Sequence, residues 1–209
     1  MDRLERLIEK YPELAECAPS IQAGYRMLEG CFAAGKKLLL CGNGGSAADS
    51  LHIVGELMKG NYLKRPVPVG LRAKLLAQYP DEGGYLADHL QGALPAISLA
   101  SETSLVTAFI NDVAADMVYA QQVYGYGTPE DVLIGLSTSG SSANVLNALK
   151  VARALGLHTL GFTGAQGGAM NGACEVLVRV PWQQTPDIQE RHEAIYHALC
   201  AQLEEHFFS

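Results

Sequence analysis

The sequence predicts an α/β fold, a doubly wound five-stranded parallel sheet with additional helices at its N-terminus. Five short apolar runs of strand length alternate with helical patterns, which is the order expected of consecutive strand–helix–strand units. The runs are almost continuously apolar, as in parallel strands that helices cover on both faces. Two of the runs lead directly into turns rich in glycine and serine. Because ligands of such sheets bind beyond the carboxyl ends of the strands, we expect a binding site at that edge.

The first part of the chain, residues 1–35, is predicted to form helices that extend the domain at its N-terminus. Its apolar residues Ile21, Tyr25, Leu28 and Phe32 recur at spacings of four, three and four, which builds one stripe along a helix. This stripe has two candidate partners, the rest of the same domain and another subunit.

The elements of the sheet follow in alternation. The apolar runs predict strands at Lys37–Cys41, Ala96–Leu99, Val132–Leu136, Thr159–Phe162 and Val176–Val180. The helical patterns predict helices at Ala47–Met58, Ser101–Ala108, Asp112–Tyr124, Ala143–Leu155 and Ile188–Phe207. A stretch of about residues 66–92 interrupts the alternation and is predicted to be an insertion with a short amphipathic helix at Leu71–Tyr79. With this insertion and the N-terminal extension, residues 1–209 are predicted to form a single domain.

Composition argues against several classes of function. With 15 Lys and Arg against 22 Asp and Glu and no basic cluster, the chain lacks the charge pattern of a protein that binds nucleic acid through its phosphates. The five cysteines form no CxxC pair, as expected of reduced thiols in the cytosol. No signal core and no apolar run near the roughly 20 residues of a membrane helix are present. We therefore expect a cytoplasmic protein that binds neither nucleic acid nor membrane. Its charged fraction of 18% leaves surface for subunit contacts.

Each glycine- and serine-rich turn lies between a strand and a helix, which is the arrangement of an anion site. The first turn holds the small and polar residues Asn43, Gly44, Gly45 and Ser46. The second, Ser137–Ser142, carries five hydroxyl groups in six residues. Glycines let the backbone approach closely, and hydroxyls and helix N-termini donate hydrogen bonds to a phosphate. Neither turn has the lysine of a P-loop or the spacing of a dinucleotide site, which favours a small phosphorylated metabolite.

The start of the helix after the first turn carries a Ser-x-x-Asp pattern, formed by Ser46 and Asp49. This pattern predicts a capping box, in which the serine side chain accepts a hydrogen bond from the first turn of the helix.

Two predicted helices carry residues suited to acid–base or metal chemistry. His52 and Glu56 are four apart and share one helix face, and Gln189 and His197 are eight apart near one stripe of the last helix. Such a set can bind a divalent metal, transfer protons directly, or form ordinary surface pairs. Asn111 and Asp112 have two interpretations as well, contacts to sugar hydroxyls or a helix cap.

In several motifs the chain resembles the sugar isomerase (SIS) domain family and, within it, the phosphoheptose isomerases. The matching motifs are Cys41-Gly42-Asn43-Gly44-Gly45-Ser46, His52-x-x-x-Glu56, Asn111-Asp112, Ser137-Thr138-Ser139-Gly140-x-Ser142, Thr163-Gly164 with Gly167-Gly168, and Ile188-Gln189-Glu190 with His197. The resemblance implies conversion of sedoheptulose 7-phosphate to D-glycero-D-manno-heptose 7-phosphate. It also implies a homotetramer with shared sites.

The resemblance implies the site residues too. One zinc ion per subunit, easily lost on purification, would be held by His52, Glu56, Gln189 and His197. The implied substrate contacts are those of Asn43, Gly44, Gly45, Ser46, Asn111, Asp112, Ser137, Thr138, Ser139, Ser142 and Gln189. An aldose–ketose isomerisation removes a proton beside a carbonyl and returns it to the neighbouring carbon, so it needs a base and an acid. The candidates are Glu56 as the base and His197 as the acid.

Two other functions are compatible with these motifs. One is a non-catalytic, phosphosugar-binding regulator, similar to the replication-initiation regulator of the same family. The retained set of His52, Glu56, Gln189 and His197 favours the enzyme over it. The other is an isomerase of a different sugar phosphate, such as a hexose phosphate.

Overall fold

The computed structural model describes residues 2–209 and contains the expected five-stranded, all-parallel sheet, in the order β2-β1-β3-β4-β5. The strands are β1 Leu38–Gly42, β2 Ala96–Ser98, β3 Val132–Leu136, β4 His158–Thr163 and β5 Val176–Arg179. Each end lies within one residue of the prediction because the apolar runs that predict the strands are the residues that the sheet buries.

The helices occupy both sides of this sheet. They are α1 Arg3–Lys10, α2 Ala18–Ala33, α3 Gly45–Met58, α4 Val69–Gln78, α5 Gly83–His89, α6 Thr103–Asp112, α7 Val118–Tyr126, α8 Ala143–Ala154 and α9 Thr185–Phe208. Short 3-10 segments lie at Pro12–Cys17, Ala115–Met117 and Gly168–Gly172. None of the helices formed by the described residues is both long enough and apolar enough to cross a membrane.

Alternating side chains of the strands enter two separate cores, as the pleat of a strand requires. Leu38 and Leu40 of β1 enter the core formed with α1, α2, α3 and α9. Leu39 and Cys41 enter the core formed with α7 and α8. The sheet is therefore covered on both faces, and the doubly wound architecture is confirmed.

The N-terminal stripe packs against the protein's own core. Ile21, Tyr25, Leu28 and Phe32 are all buried in the same cluster as β1 and α9. Of the two partners considered for this stripe, the chain itself is the one that covers it. The predicted helical region is interrupted at Pro12, where the 3-10 segment that separates α1 from α2 begins.

The strand order reverses between β1 and β3. The chain leaves β1 toward β2 on one side, and it returns to place β3 on the other side of β1. In doubly wound sheets this reversal opens a crevice at the carboxyl ends of the two central strands. The turns that follow β1 and β3 are the two turns rich in glycine and serine.

Two local predictions are wrong. Asp112 ends α6 instead of beginning the next helix, which starts at Val118. The buried face of α7, with Val118, Tyr119 and Val123, decides where that helix starts, because these residues fill the core beside α8. Local propensity at an Asn-Asp pair does not carry this information.

The predicted capping box is the second error. Helix α3 begins at Gly45 after the N-cap residue Gly44, and no side chain caps it. Gly44 has a φ of 56°, a conformation that glycine adopts easily and that turns the chain into the helix before Ser46. Ser46 is buried, and the Asp49 side chain accepts a hydrogen bond from α9 instead.

The stretch predicted as an insertion forms helices α4 and α5, which pack against each other. An isolated bridge between Pro66 and Gln91 closes its base. Beside this base, the buried Arg65 guanidinium lies 2.9 Å from the Glu204 carboxylate of α9. Arg65 also donates to the carbonyl oxygens of Leu57 and Glu56, at 2.7 and 3.1 Å. Arg65 thus ties the C-terminal end of α3 to α9.

Candidate active site

The turns after β1 and β3 are joined directly by a pair of side chains. Asn43 of the first turn and Asn144 at the start of α8 exchange two amide hydrogen bonds, each of 2.9 Å. The adjacent positions of β1 and β3 in the sheet bring these amides together. The sequence analysis did not identify Asn144, because its partner lies 101 residues away.

Three hydroxyl groups converge in the turn after β3. The Ser137 Oγ lies 2.9 Å from the Ser142 Oγ and 3.5 Å from the Ser139 Oγ. Ser137 is only 4% exposed, so its hydroxyl is held at the floor of the turn. Converging hydroxyls of this kind donate to the oxygens of one anion.

A second loop, after β4, supports the serine turn from below. Gly140 has a φ of 64°, and a Cβ there would lie 2.1 Å from the Gly167 carbonyl oxygen. A side chain at Gly140 would push the two loops apart. The Thr138 carbonyl accepts a hydrogen bond of 3.1 Å from the Gly164 N–H. The Thr138 backbone therefore links the serine turn to the loop after β4.

Helix α9 reaches the first turn through Gln189. A Cβ at Gly45 would lie 2.4 Å from the Gln189 Nε2, so only glycine allows the amide to sit against this turn. The predicted substrate residues Asn43, Gly44, Gly45 and Gln189 are thereby gathered at one place.

The predicted acid–base residues face each other across α3 and α9. The His52 Nε2 lies 3.6 Å from the Glu56 Oε1, as the i,i+4 spacing predicts, and 3.3 Å from the His197 Nε2. This contact between the imidazoles joins positions that are 145 residues apart. The Glu56 side chain is 15% exposed and that of His52 is 44% exposed, so the pair opens toward solvent.

Tyr196 and Asp49 hold His52 from the other side. The Tyr196 hydroxyl lies 3.0 Å from the His52 Nδ1 and donates to the Asp49 Oδ1 at 3.4 Å. Burial raises the pKa of Asp49, although the Tyr196 hydrogen bond lowers it, and the nearby Glu193 charge raises it further. Burial and then the Asp49 charge raise the pKa of Tyr196 well above its usual range, so its hydroxyl keeps its proton.

The surroundings of His197 favour the neutral form of its imidazole. Burial lowers the pKa of its imidazole, and the neighbouring His52 lowers it further, against the opposing charges of Glu56 and Glu193. A neutral imidazole can accept a proton, donate one from its N–H, or bind a metal ion.

The donor atoms of this cluster fit a divalent metal ion. Two imidazole nitrogens and a carboxylate are the ligands that zinc prefers. The His52 and His197 nitrogens that face each other are those an ion between α3 and α9 would use. Glu193, which the sequence analysis did not single out, adds a carboxylate to the same cluster. Its position midway between Gln189 and His197, at helical spacing, was the available signal.

A cavity of about 470 Å³ opens beside this cluster, with Glu56 and His197 in its wall. The basic side chains of Arg3, Arg6 and Lys10 on α1 line the same cavity. Their spacings of three and four place them on one face of α1, and the packing of α1 against α9 brings this face to the cavity.

Three predicted substrate residues take other positions. Ser46 is buried beneath the first turn. Asn111 and Asp112 are exposed at the end of α6, and the Asn111 amide donates to the Asp112 carboxylate at 2.7 Å. These three residues therefore have no demonstrated contact with the crevice.

Comparisons with known proteins agree with this architecture. Residues 79–164 match a family model for the SIS domain. The chain is 41% identical over 192 residues to a phosphoheptose isomerase from Rhodospirillum rubrum, covering 92% of this chain and 88% of that protein. A solved phosphoheptose isomerase structure from Neisseria gonorrhoeae is 33% identical, with a TM-score of 0.72 over 97% of this chain and 92% of that one. A second structure, from Francisella tularensis, is 27% identical, with a TM-score of 0.74 over 96% and 94% of the two chains.

Proposed function

Because this chain belongs to the phosphoheptose isomerase family, we propose that it is an aldose–ketose isomerase that converts sedoheptulose 7-phosphate to D-glycero-D-manno-heptose 7-phosphate. The observation that carries the proposal is the meeting of His52, Glu56 and His197 across α3 and α9. The turn that Asn144 links to the serine loop leads into α3, and Gln189 of α9 lies against it, which supports a common crevice for a phosphate anchor and proton-transfer groups.

The reaction moves one proton between neighbouring carbons of the sugar. The Glu56 carboxylate removes the proton beside the carbonyl and returns it to the adjacent carbon. The His197 imidazole moves a second proton, that of the hydroxyl group, between the oxygens on these two carbons. The former carbonyl oxygen becomes a hydroxyl, and the former hydroxyl oxygen becomes the carbonyl. Arg65, through its hydrogen bond to the Glu56 carbonyl oxygen, fixes the end of α3 from which this carboxylate projects.

We propose that one zinc ion per subunit binds between α3 and α9, held by His52 and His197 with carboxylate and amide donors from the same helices. The family resemblance assigns Glu56 and Gln189 to this role. Bound there, the ion would polarise the sugar carbonyl and stabilise the negative charge that develops on its oxygen. The half-exposed position of His52 agrees with an ion that is lost easily on purification.

The phosphate of the sugar is proposed to bind at Ser137, Ser139 and Ser142, with Thr138 contributing from the same turn. The support is the convergence of three hydroxyl groups within 3.5 Å of the Ser137 Oγ. An anchored phosphate orients the distant carbonyl against the acid–base groups.

We further propose that residues 1–209 act as a single domain, in the cytoplasm, as a homotetramer. One core cluster contains residues from α1 to α9, which supports a single domain. Helix α6 buries none of its residues and exposes Leu105 and Ile110, and Val113 follows it with 67% exposure. Such apolar surface supports burial against other subunits.

The test of the proposed function is turnover of sedoheptulose 7-phosphate by the purified protein, beside a panel of other ketose phosphates. We expect Glu56→Gln and His197→Ala each to lower kcat by about 100-fold or more, since general acid–base groups contribute roughly 10²–10⁴-fold. Glu175→Gln, which removes an equal charge just before β5 at the opposite end of the sheet, serves as the control.

Near-normal turnover in both variants would contradict the assigned roles of Glu56 and His197. Binding of the sugar phosphates without turnover would instead indicate a phosphosugar-binding regulator. Turnover of only a different ketose phosphate would support the proposed isomerisation and contradict the proposed substrate.

A further inference from the structure

Helix α9 carries a buried histidine, His192, that the proposed chemistry does not use. Its side chain is completely buried, and its Nε2 lies 3.3 Å from the carbonyl oxygen of Thr163, the last residue of β4. The ring also packs edge-on against Phe162, with the two ring centroids 5.6 Å apart. His192 therefore joins the helix that carries Gln189 and His197 to the carboxyl end of β4.

The carboxyl end of β4 in turn holds the serine turn through three hydrogen bonds. The Ser137 N–H donates to the Phe162 carbonyl oxygen at 3.0 Å. The Thr138 carbonyl oxygen accepts from the Gly164 N–H at 3.1 Å and from the Thr163 hydroxyl at 3.4 Å. Thr163 and its two neighbours in the chain thus support the proposed phosphate anchor from below.

The hydrogen bond of His192 leaves one buried atom of its ring unpaired. Burial lowers the pKa of the His192 imidazole to about 4, although the Thr163 hydrogen bond raises it, so the ring is neutral near neutral pH and carries one proton. A carbonyl oxygen only accepts, so this proton is on Nε2. The buried Nδ1 has no hydrogen-bond partner among residues 2–209. Because an apolar side chain would avoid the free-energy cost of this unpaired atom, packing alone does not account for a histidine here.

We infer that His192 is a positioning residue, which holds the end of β4 and, through it, the serine turn in the conformation that binds phosphate. This inference rests on the proposed function for the phosphate at that turn, and it adds a residue too deeply buried to touch the ligand. The Thr163 carbonyl oxygen also accepts from the Val180 N–H at 3.0 Å, so the sheet itself does not need the His192 bond. Because α9 also carries His197, the same bond fixes the acid–base groups relative to the phosphate anchor, as orientation of the sugar requires.

The experiment compares affinities for inorganic phosphate, measured by calorimetric titration, of the parent chain, His192→Leu and His192→Gln. We expect His192→Leu to weaken binding by about fivefold, which corresponds to one typical hydrogen bond. His192→Gln should restore the parent affinity, because its amide can donate to the Thr163 carbonyl oxygen. Urea unfolding should give both variants nearly the parent stability, since the Val180 N–H still pairs this oxygen.

The matched control is Thr159→Val, at the opposite end of β4. It removes a buried hydroxyl that accepts from the Glu175 N–H at 3.0 Å, and this N–H keeps its second acceptor, the Thr159 carbonyl oxygen, at 3.1 Å. We expect this variant to bind phosphate as the parent does. Thr163→Val tests the same connection from β4, because it removes the hydroxyl that donates to Thr138, and it should also weaken phosphate binding. This variant decides the question if His192→Leu does not fold.

Phosphate affinity equal to that of the parent in His192→Leu overturns the inference. So does a loss that His192→Gln does not restore, or an equal loss in Thr159→Val. A parent chain that binds no phosphate overturns it together with the proposed anchor. Turnover of sedoheptulose 7-phosphate is measured separately: phosphate binding that depends on His192 in a chain without isomerase activity would refute the proposed reaction alone. Normal turnover by the parent, with unchanged phosphate affinity in His192→Leu, would refute only this inference.

Discussion

At the residue scale, the serine turn Ser137–Ser142 has the donor groups that bind an anion. Ser137 is nearly inaccessible, and its hydroxyl lies beside two others; each of the three carries one proton that it can donate to an anion in place of its serine neighbour. Gly140 and the loop after β4 hold this arrangement from behind. The turn is therefore a preformed set of hydrogen-bond donors. Its contribution to phosphate affinity can be measured separately from catalysis.

We expect Ser137→Ala combined with Ser139→Ala to weaken binding of a sugar phosphate by about 100-fold or more. Hydrogen bonds to a charged acceptor contribute about 1.5–3 kcal/mol each, and each 1.4 kcal/mol is a factor of ten in affinity. Calorimetric titration with sedoheptulose 7-phosphate and with inorganic phosphate gives the comparison. Ser20→Ala, whose hydroxyl donates to the Cys17 carbonyl in the N-terminal helices, is the matched control. Unchanged affinity in the double variant would make the turn purely structural.

At the scale of elements, one carboxylate joins the amino ends of β1 and β3, opposite the crevice. Asp131 accepts from the Lys37 N–H at 3.0 Å and from the Lys37 Nζ at 2.6 Å. It also accepts from the Thr128 N–H and hydroxyl, both at 2.8 Å. Burial acts to raise the pKa of Asp131, but the hydrogen bonds from Lys37 and Thr128 hold it below its usual value. This junction links the residues that precede the two strands carrying the site.

The lowered pKa of Asp131 predicts a specific dependence of stability on pH. Its stabilising effect is fully present above the unfolded pKa of about 3.9 and is lost as the pH falls through the lower folded pKa. We expect Asp131→Asn to reduce the free energy of unfolding at pH 7 by about 1.5–3 kcal/mol, the range for hydrogen bonds to a charged group. The difference from the parent should shrink below about pH 4. Urea unfolding at pH 7 and pH 3 measures both.

The control for this variant is Asp88→Asn. Asp88 also pairs with a basic side chain, Arg72, but both are exposed, so the substitution should leave stability nearly unchanged. An Asp131→Asn variant as stable as the parent at pH 7 would show that the junction does not stabilise the strands.

At the scale of the whole molecule, apolar side chains remain exposed on the surfaces of α6 and α3. Helix α6 and the residue after it expose Ile110 by 47% and Val113 by 67%, and α3 exposes Leu51 by 48%. The net charge of −7 disfavours close approach of copies, so apolar contact must supply the attraction in any assembly.

We expect static light scattering at micromolar concentration to report an assembly of several copies, with four proposed. Ile110→Lys combined with Val113→Lys should dissociate it, because charges would have to be buried without partners. Ala154→Lys, at the exposed end of α8, adds charge away from α6 and should leave the assembly intact. A parent chain that scatters as a monomer would refute the assembly, and an unaffected double variant would place the contact elsewhere.

The sequence by itself determined the sheet and the edge at which the site lies. Strands buried on both faces must be continuously apolar, and turns that approach a ligand closely need glycine, so both features are written in consecutive residues. The His52–Glu56 pair was predictable for the same reason, because helical periodicity alone places these residues on one face.

Only the tertiary structure decided which residues meet from distant parts of the chain. The contacts of His52 with His197, of Asn43 with Asn144 and of Arg65 with Glu204 each join positions more than 100 residues apart. Glu193 acquired its place in the same way, since helix α9 has other exposed carboxylates and only the packing of α3 against it distinguishes one of them. Local patterns report the conformation of a segment, whereas the composition of a site depends on which segments the core brings together.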